Sequence, residues 1–131
     1  MMIEAKKTVP LVRQRQRKMQ VIRWNESVLP QEQELRTRMQ RDGLSPYAWS
    51  NGPHDYYAAH AHSYEKVLYC VRGSIRFIIH DQHSPRESGT EDYLDLNPGD
   101  CMILPAGVRH SAQVGPDGVT CLESARHIMK N

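Results

Sequence analysis

The sequence of 131 residues is short of cysteine, phenylalanine and long apolar runs, with three Cys and one Phe in all. Cys70, Cys101 and Cys121 are odd in number and lack C-x-x-C spacing, which argues against a disulfide framework and for small buried hydrophobes carrying reduced thiols. No uninterrupted apolar stretch approaches the roughly 20 residues that cross a bilayer. No apolar segment follows the basic N-terminus, so no secretory signal is expected and the cytoplasm is the expected address. Neither a nucleotide nor a sugar-phosphate signature is present, and no helix-turn-helix or aromatic-interleaved basic patch points to nucleic acid. What remains is an ordinary globular composition, 39% hydrophobic and 24% charged, long enough for one domain. The net charge of +2 conceals an asymmetry: residues 1–23 hold seven Lys or Arg against one acid, and the rest of the chain is net acidic.

Three regions follow from the texture. Residues 1–18, with Arg13-Gln14-Arg15-Gln16-Arg17-Lys18, read as a solvated basic arm. Residues 19–43 form a helical lead-in, with a helix expected from Pro30 through Asp42. Glu32 and Glu34 suit its positive end, Arg36, Arg38 and Arg41 its negative end, and Gly43 its stop, while Leu35 and Met39 share one face. Residues 44–131 read as an all-β domain. Short apolar runs at Tyr56–His62, Lys66–Val71, Ser74–His80, Tyr93–Leu96, Cys101–Leu104, His110–Val114 and Val119–Glu123 alternate with turn residues. Arg72-Gly73 reads as a tight hairpin turn, Asp81–Glu91 as a mobile surface loop, and Asp100 and Asp117 as turn formers. Both faces of Val67–Val71 are apolar, so one lines a barrel and the other needs cover from the helix or a second subunit.

Two of the seven histidines stand as His60-Ala61-His62, whose side chains on a strand share one face and can reach one point. The run from His60 through Glu65, Lys66 and the apolar strand to Gly73 resembles the first cupin motif. Gly99 through Pro105, Gly107 and His110 resembles the second, G-x5-P-x-G-x2-H. The resemblance covers roughly residues 44–124. It implies a cupin jelly-roll barrel with a short N-terminal helix, a homodimer, and His60, His62 and His110 as ligands of a divalent metal. Neutral imidazoles suit Fe, Mn, Ni, Cu or Zn, and three of them leave positions open.

Three positions depart from the family pattern. Gly52 is a loose match, and Val114 stands where the family has asparagine. Lys66 falls at the family's ligand glutamate, with Glu65 one residue early and so on the opposite face. Lys66 should point inward. An ammonium about 5 Å from a dication feels roughly 6 kcal/mol of repulsion at an effective dielectric of about 20. A bulge could rotate Glu65 inward, the lysine could lose its proton or stretch to the mouth, or no metal binds. Two functions stay open. One is a small-molecule metalloenzyme of dioxygenase, isomerase or decarboxylase type, with Lys66 or Tyr64 as acid–base group. The other is a non-catalytic small-ligand binding or sensing module. His54, His80 and His83 read as exposed loop residues, and Arg109 as an exposed cation at the rim.

Overall fold

The computed structural model describes residues 19–80 and 92–126; the arm expected over residues 1–18, the loop expected over residues 81–91 and residues 127–131 lie outside the described residues. Eight elements follow one another: β1 (Gln20–Ile22), α1 (Glu32–Arg41), β2 (Tyr47–Asn51), β3 (Tyr56–His60), β4 (Glu65–Ile79), β5 (Asp92–Leu96), β6 (Cys101–Leu104) and β7 (His110–Arg126). All strand pairs are antiparallel. The two long strands carry the architecture. β4 and β7 pair with each other from Glu65↔Arg126 to Ile79↔His110. The first half of β4 also pairs with β6 and its second half with β5. The first half of β7 pairs with β3 and its second half with β2. Each long strand thus belongs to both halves of a jelly-roll barrel, and β1 extends one edge through β6.

The expected hairpin at Arg72-Gly73 is corrected: the chain runs straight on as β4. Gly73 has the positive φ that a hairpin turn would use, +80°, but here it serves a bulge. The β4–β7 register shifts between Cys70 and Arg72 and again between Gly73 and Ile75. The same bend absorbs the expected break at Gly115–Gly118, so β7 is continuous. A side chain at Gly73 would fall on the carbonyl of Gly118, itself at φ +80°, so the two backbones touch where the strands bend. β1 and β2 were not foreseen.

Strand alternation sorts the core into two layers. Leu68, Cys70, Ile75, Phe77, Leu96, Met102, Leu104, Val114 and Cys121 fill the barrel interior. Val67, Val71, Cys101 and Leu122 face outward under Leu35 and Met39 of α1 and Leu44 beyond it. The helix therefore covers the second apolar face of β4. Leu35 and Met39 are almost fully buried, four residues apart as the helical stripe requires. Asp100 fastens the lead-in to the barrel. It accepts hydrogen bonds from Arg23 (2.8 Å), the Trp24 backbone (2.9 Å) and the Asn97 backbone (2.9 Å). All three cysteines are buried free thiols. Burial pushes Cys101 up to about 11, and the Cys70 thiol, followed by burial, raises Cys121, so neither is a ready nucleophile.

The Gly73–Gly118 contact yields a stability prediction. Gly73→Ala combines a strained φ with a backbone clash and is expected to cost about 2 kcal/mol or more, seen as a lowered urea midpoint. Gly43→Ala meets no neighbour within 4 Å and should cost less.

Candidate metal centre and cavity

His60 closes β3 and lies directly opposite His110, the first residue of β7. His62 follows just beyond β3. Their rings approach within 4.5 Å (His60–His110), 4.7 Å (His60–His62) and 5.3 Å (His62–His110) between centroids. One ring nitrogen from each falls within 4.8 Å of the others. The backbone prepares the tautomer. Nδ1 of His60 lies 2.8 Å from the Ala58 carbonyl and Nδ1 of His110 lies 3.0 Å from that of Val108. An N–H given to those carbonyls leaves each Nε2 as a lone pair. Gly107, at φ +84°, sits in the turn that delivers His110.

Among the described residues, Nε2 of His62 and Nε2 of His110 are buried without any hydrogen-bond partner. Burial is the main force holding His110 down, to about 4; the Val108 carbonyl opposes it, while Lys66 and the other two histidines reinforce it. His62 is lowered by burial first, then by Lys66 and His60, against the pull of Glu123. Both imidazoles are accordingly neutral near pH 7, the form that binds metal. The orphaned nitrogens, the neutral rings and the prepared tautomers fit a divalent transition metal.

Lys66 points into the barrel, as its parity predicts, and Glu65 points out, where Arg126 meets it at 2.8 Å. No bulge exchanges them, since the first register shift comes only after Cys70. The lysine's charge is answered by Glu123, whose Oε1 lies 3.6 Å from Nζ, with both side chains under a tenth exposed. Glu123 also accepts hydrogen bonds from Tyr47 Oη and Trp49 Nε1, each at 3.0 Å. Burial, helped by Glu123, pushes the Tyr47 phenol up to about 12. His60, His110, Lys66 and Glu123 line one cavity of about 280 Å³, walled by Tyr47, Trp49, Tyr57 and Phe77. Trp49 and Tyr57 meet edge to face at 6.0 Å.

Sequence reasoning missed Glu123, Tyr47 and Trp49. A signal for Glu123 existed: it shares the inward parity of Val119 and Cys121, so an acid there enters the barrel. Tyr64 lies against His62, ring centroids 4.9 Å apart and tilted by 31°, and is not among the residues lining the cavity. Val114 is packed in the interior with no ligand role. His54 and Arg109 are exposed, as expected, and His83 lies outside the described residues. His80 departs from expectation: it is half-buried, with Nε2 3.0 Å from Ser111 Oγ. A larger hollow of about 390 Å³ beside His54 contains Arg76 and Asp95, which are committed to each other at 2.7 and 3.0 Å.

The cupin family profile matches residues 9–120, and the chain belongs to the cupin family. No curated protein matches it. Among solved structures it resembles oxalate decarboxylase from Bacillus subtilis, at 25% identity and a TM-score of 0.54 over 64% of this chain and 21% of that one. A second structure of that enzyme, described by its Mn(II) centres, matches at 24% identity and a TM-score of 0.54, over 67% and 22% of the two chains. The coconut allergen cocosin shares the fold at 17% identity and a TM-score of 0.50, over 63% and 21%. The chain thus spans about a fifth of the length of these proteins.

The Lys66–Glu123 pair yields a second prediction. Glu123→Ala leaves a buried ammonium uncompensated and should cost about 2–4 kcal/mol in urea unfolding; Lys66→Met/Glu123→Leu, which removes both charges, should cost less than Glu123→Ala despite the lost acceptor for Tyr47 and Trp49.

Proposed function

We propose that this protein is a metal-dependent cupin acting on a small organic molecule, with His60, His62 and His110 holding one divalent transition metal. The observation that carries the reading is the pair of buried, partnerless Nε2 atoms on His62 and His110. Leaving such an atom unsatisfied costs about 1–3 kcal/mol, which coordination would offset. When bound, the metal would supply a Lewis acid with open positions. The chain's own residues would do the rest: backbone carbonyls fix the imidazoles, the aromatic walls limit water, and Lys66 holds a proton inside the cavity. Tyr64, stacked on His62, is the second candidate for proton transfer. Fe, Mn, Ni, Cu and Zn all suit imidazole, and the Mn(II) centres of the Bacillus subtilis enzyme make Mn the first to test.

The second reading, a non-catalytic small-ligand binding or sensing cupin, is favoured by Lys66 at the position of the family's ligand glutamate. We also propose a cytoplasmic setting, which suits three free buried thiols. No helix among the described residues is long and apolar enough to cross a membrane. Residues 44–131 would be the barrel domain, residues 19–43 its lead-in and residues 1–18 an arm. A homodimer is proposed from the resemblance alone, because α1 already covers the outer face of β4; light scattering that returns a monomer mass would remove it.

The deciding experiment is elemental analysis of untagged protein by inductively coupled plasma mass spectrometry. About one equivalent of a transition metal per chain is expected, lost in His60→Ala and in His110→Ala. Absence of metal after reconstitution with each of the five ions would reject the metal reading and promote the binding module.

A further inference from the structure

We infer that the cavity takes a small, flat organic acid, its carboxylate on Lys66 and its body against the aromatic walls; like the preceding proposal, this treats the cavity as the functional site. The argument starts from an asymmetry within the ion pair. Both oxygens of Glu123 are hydrogen-bonded, to Tyr47 and to Trp49, at 3.0 Å each. Lys66 Nζ carries three N–H donors, yet its one charged neighbour stands at 3.6 Å, beyond the 2.7–3.2 Å or so of a hydrogen bond. Among the described residues the Lys66 side chain makes no hydrogen bond. Its charge is balanced while its donors stay open to whatever fills the cavity, which the side chain faces at only 9% exposure. A buried ammonium in that condition gains most from a ligand bringing a charged acceptor.

The walls define the rest of the ligand. Tyr47, Trp49, Tyr57 and Phe77 all line this one space, although the whole chain has only two Trp, six Tyr and one Phe. Such a concentration favours a flat, apolar body, packed by stacked or edge-on contacts. The volume, about 280 Å³, lies at the small end of ordinary ligand pockets of about 300–1,000 Å³ and is enough for one ring with an acid group.

The test is calorimetric titration of the full chain with benzoate and with benzyl alcohol, an uncharged molecule with the same ring and a similar size. Metal content is measured on the same samples, and both metal-loaded and metal-stripped protein are used. Benzoate is expected to bind at least ten-fold more tightly than the alcohol in both forms, because the preference belongs to Lys66. Lys66→Met should abolish it and Lys66→Arg should retain it. If Lys66→Met is unfolded by circular dichroism, Lys66→Met/Glu123→Gln takes its place. Equal binding of the two probes, no binding of either at millimolar concentration, or a preference that survives loss of Lys66 would overturn the inference. A metal-loaded protein without benzoate preference would fail this inference alone. Benzoate preference in a protein that never takes up metal would support it while the metal reading falls.

Discussion

Pairing of β4 with β7 along their whole length is the constraint from which the site follows. It sets Lys66 opposite Ala125, Leu68 opposite Glu123, and Ile79 opposite His110. The bulges near Gly73 reverse which parity faces inward, so Lys66 and Glu123 on one side of the bend and His110 on the other enter one interior. A slip of one residue would send all three outside and bring Val67, Leu122 and Ser111 in. The bulges near Gly73 shift that register twice and let two strands of 15 and 17 residues bend together across the barrel. β3 is then placed by β7, and with it His60, which meets His110 across the ladder.

Electrostatics inside the barrel are arranged around a cation where the family carries a metal-binding acid. Burial keeps His62 and His110 neutral, and Lys66 pushes both in the same direction. The positive charge is compensated from the neighbouring strand, by a carboxylate that two aromatic donors hold in place. The lysine is therefore accommodated in the interior by a partner and does not have to stretch to the mouth. Its burial is a property of a pair, and the partner lies 57 residues further along the chain.

Much of this was legible in the sequence because it is local. The H-x-H pair lies within three residues, and the glycine–proline–glycine–histidine spacing within twelve, so one strand end and one turn suffice to specify both. Lys66 points inward as expected, although residues 61–64 separate β3 from β4 and the parity that fixes it is that of Leu68 and Cys70. The hairpin reading of Arg72-Gly73 failed because a glycine at positive φ serves a bulge as well as a turn, and only the partner strand distinguishes them. β1 and β2 went unread because both are short and take their definition from strands some 70 residues away or more. Tyr47 and Trp49 went unread with β2, and Glu123 with them, because its two donors come from that strand.

The mutual dependence of Lys66 and Glu123 has a consequence for how this barrel can change. Placing the family's acid here by Lys66→Glu would not simply add a carboxylate beside the three histidines. It would set a second carboxylate beside Glu123 in a space that burial has made poor in screening, and like charges so placed resist ionising together. The reverse step, losing Glu123 first, strands the ammonium. Each single substitution is therefore a valley, and passage between the lysine-bearing barrel and one bearing the usual glutamate requires two positions on adjacent strands to move together.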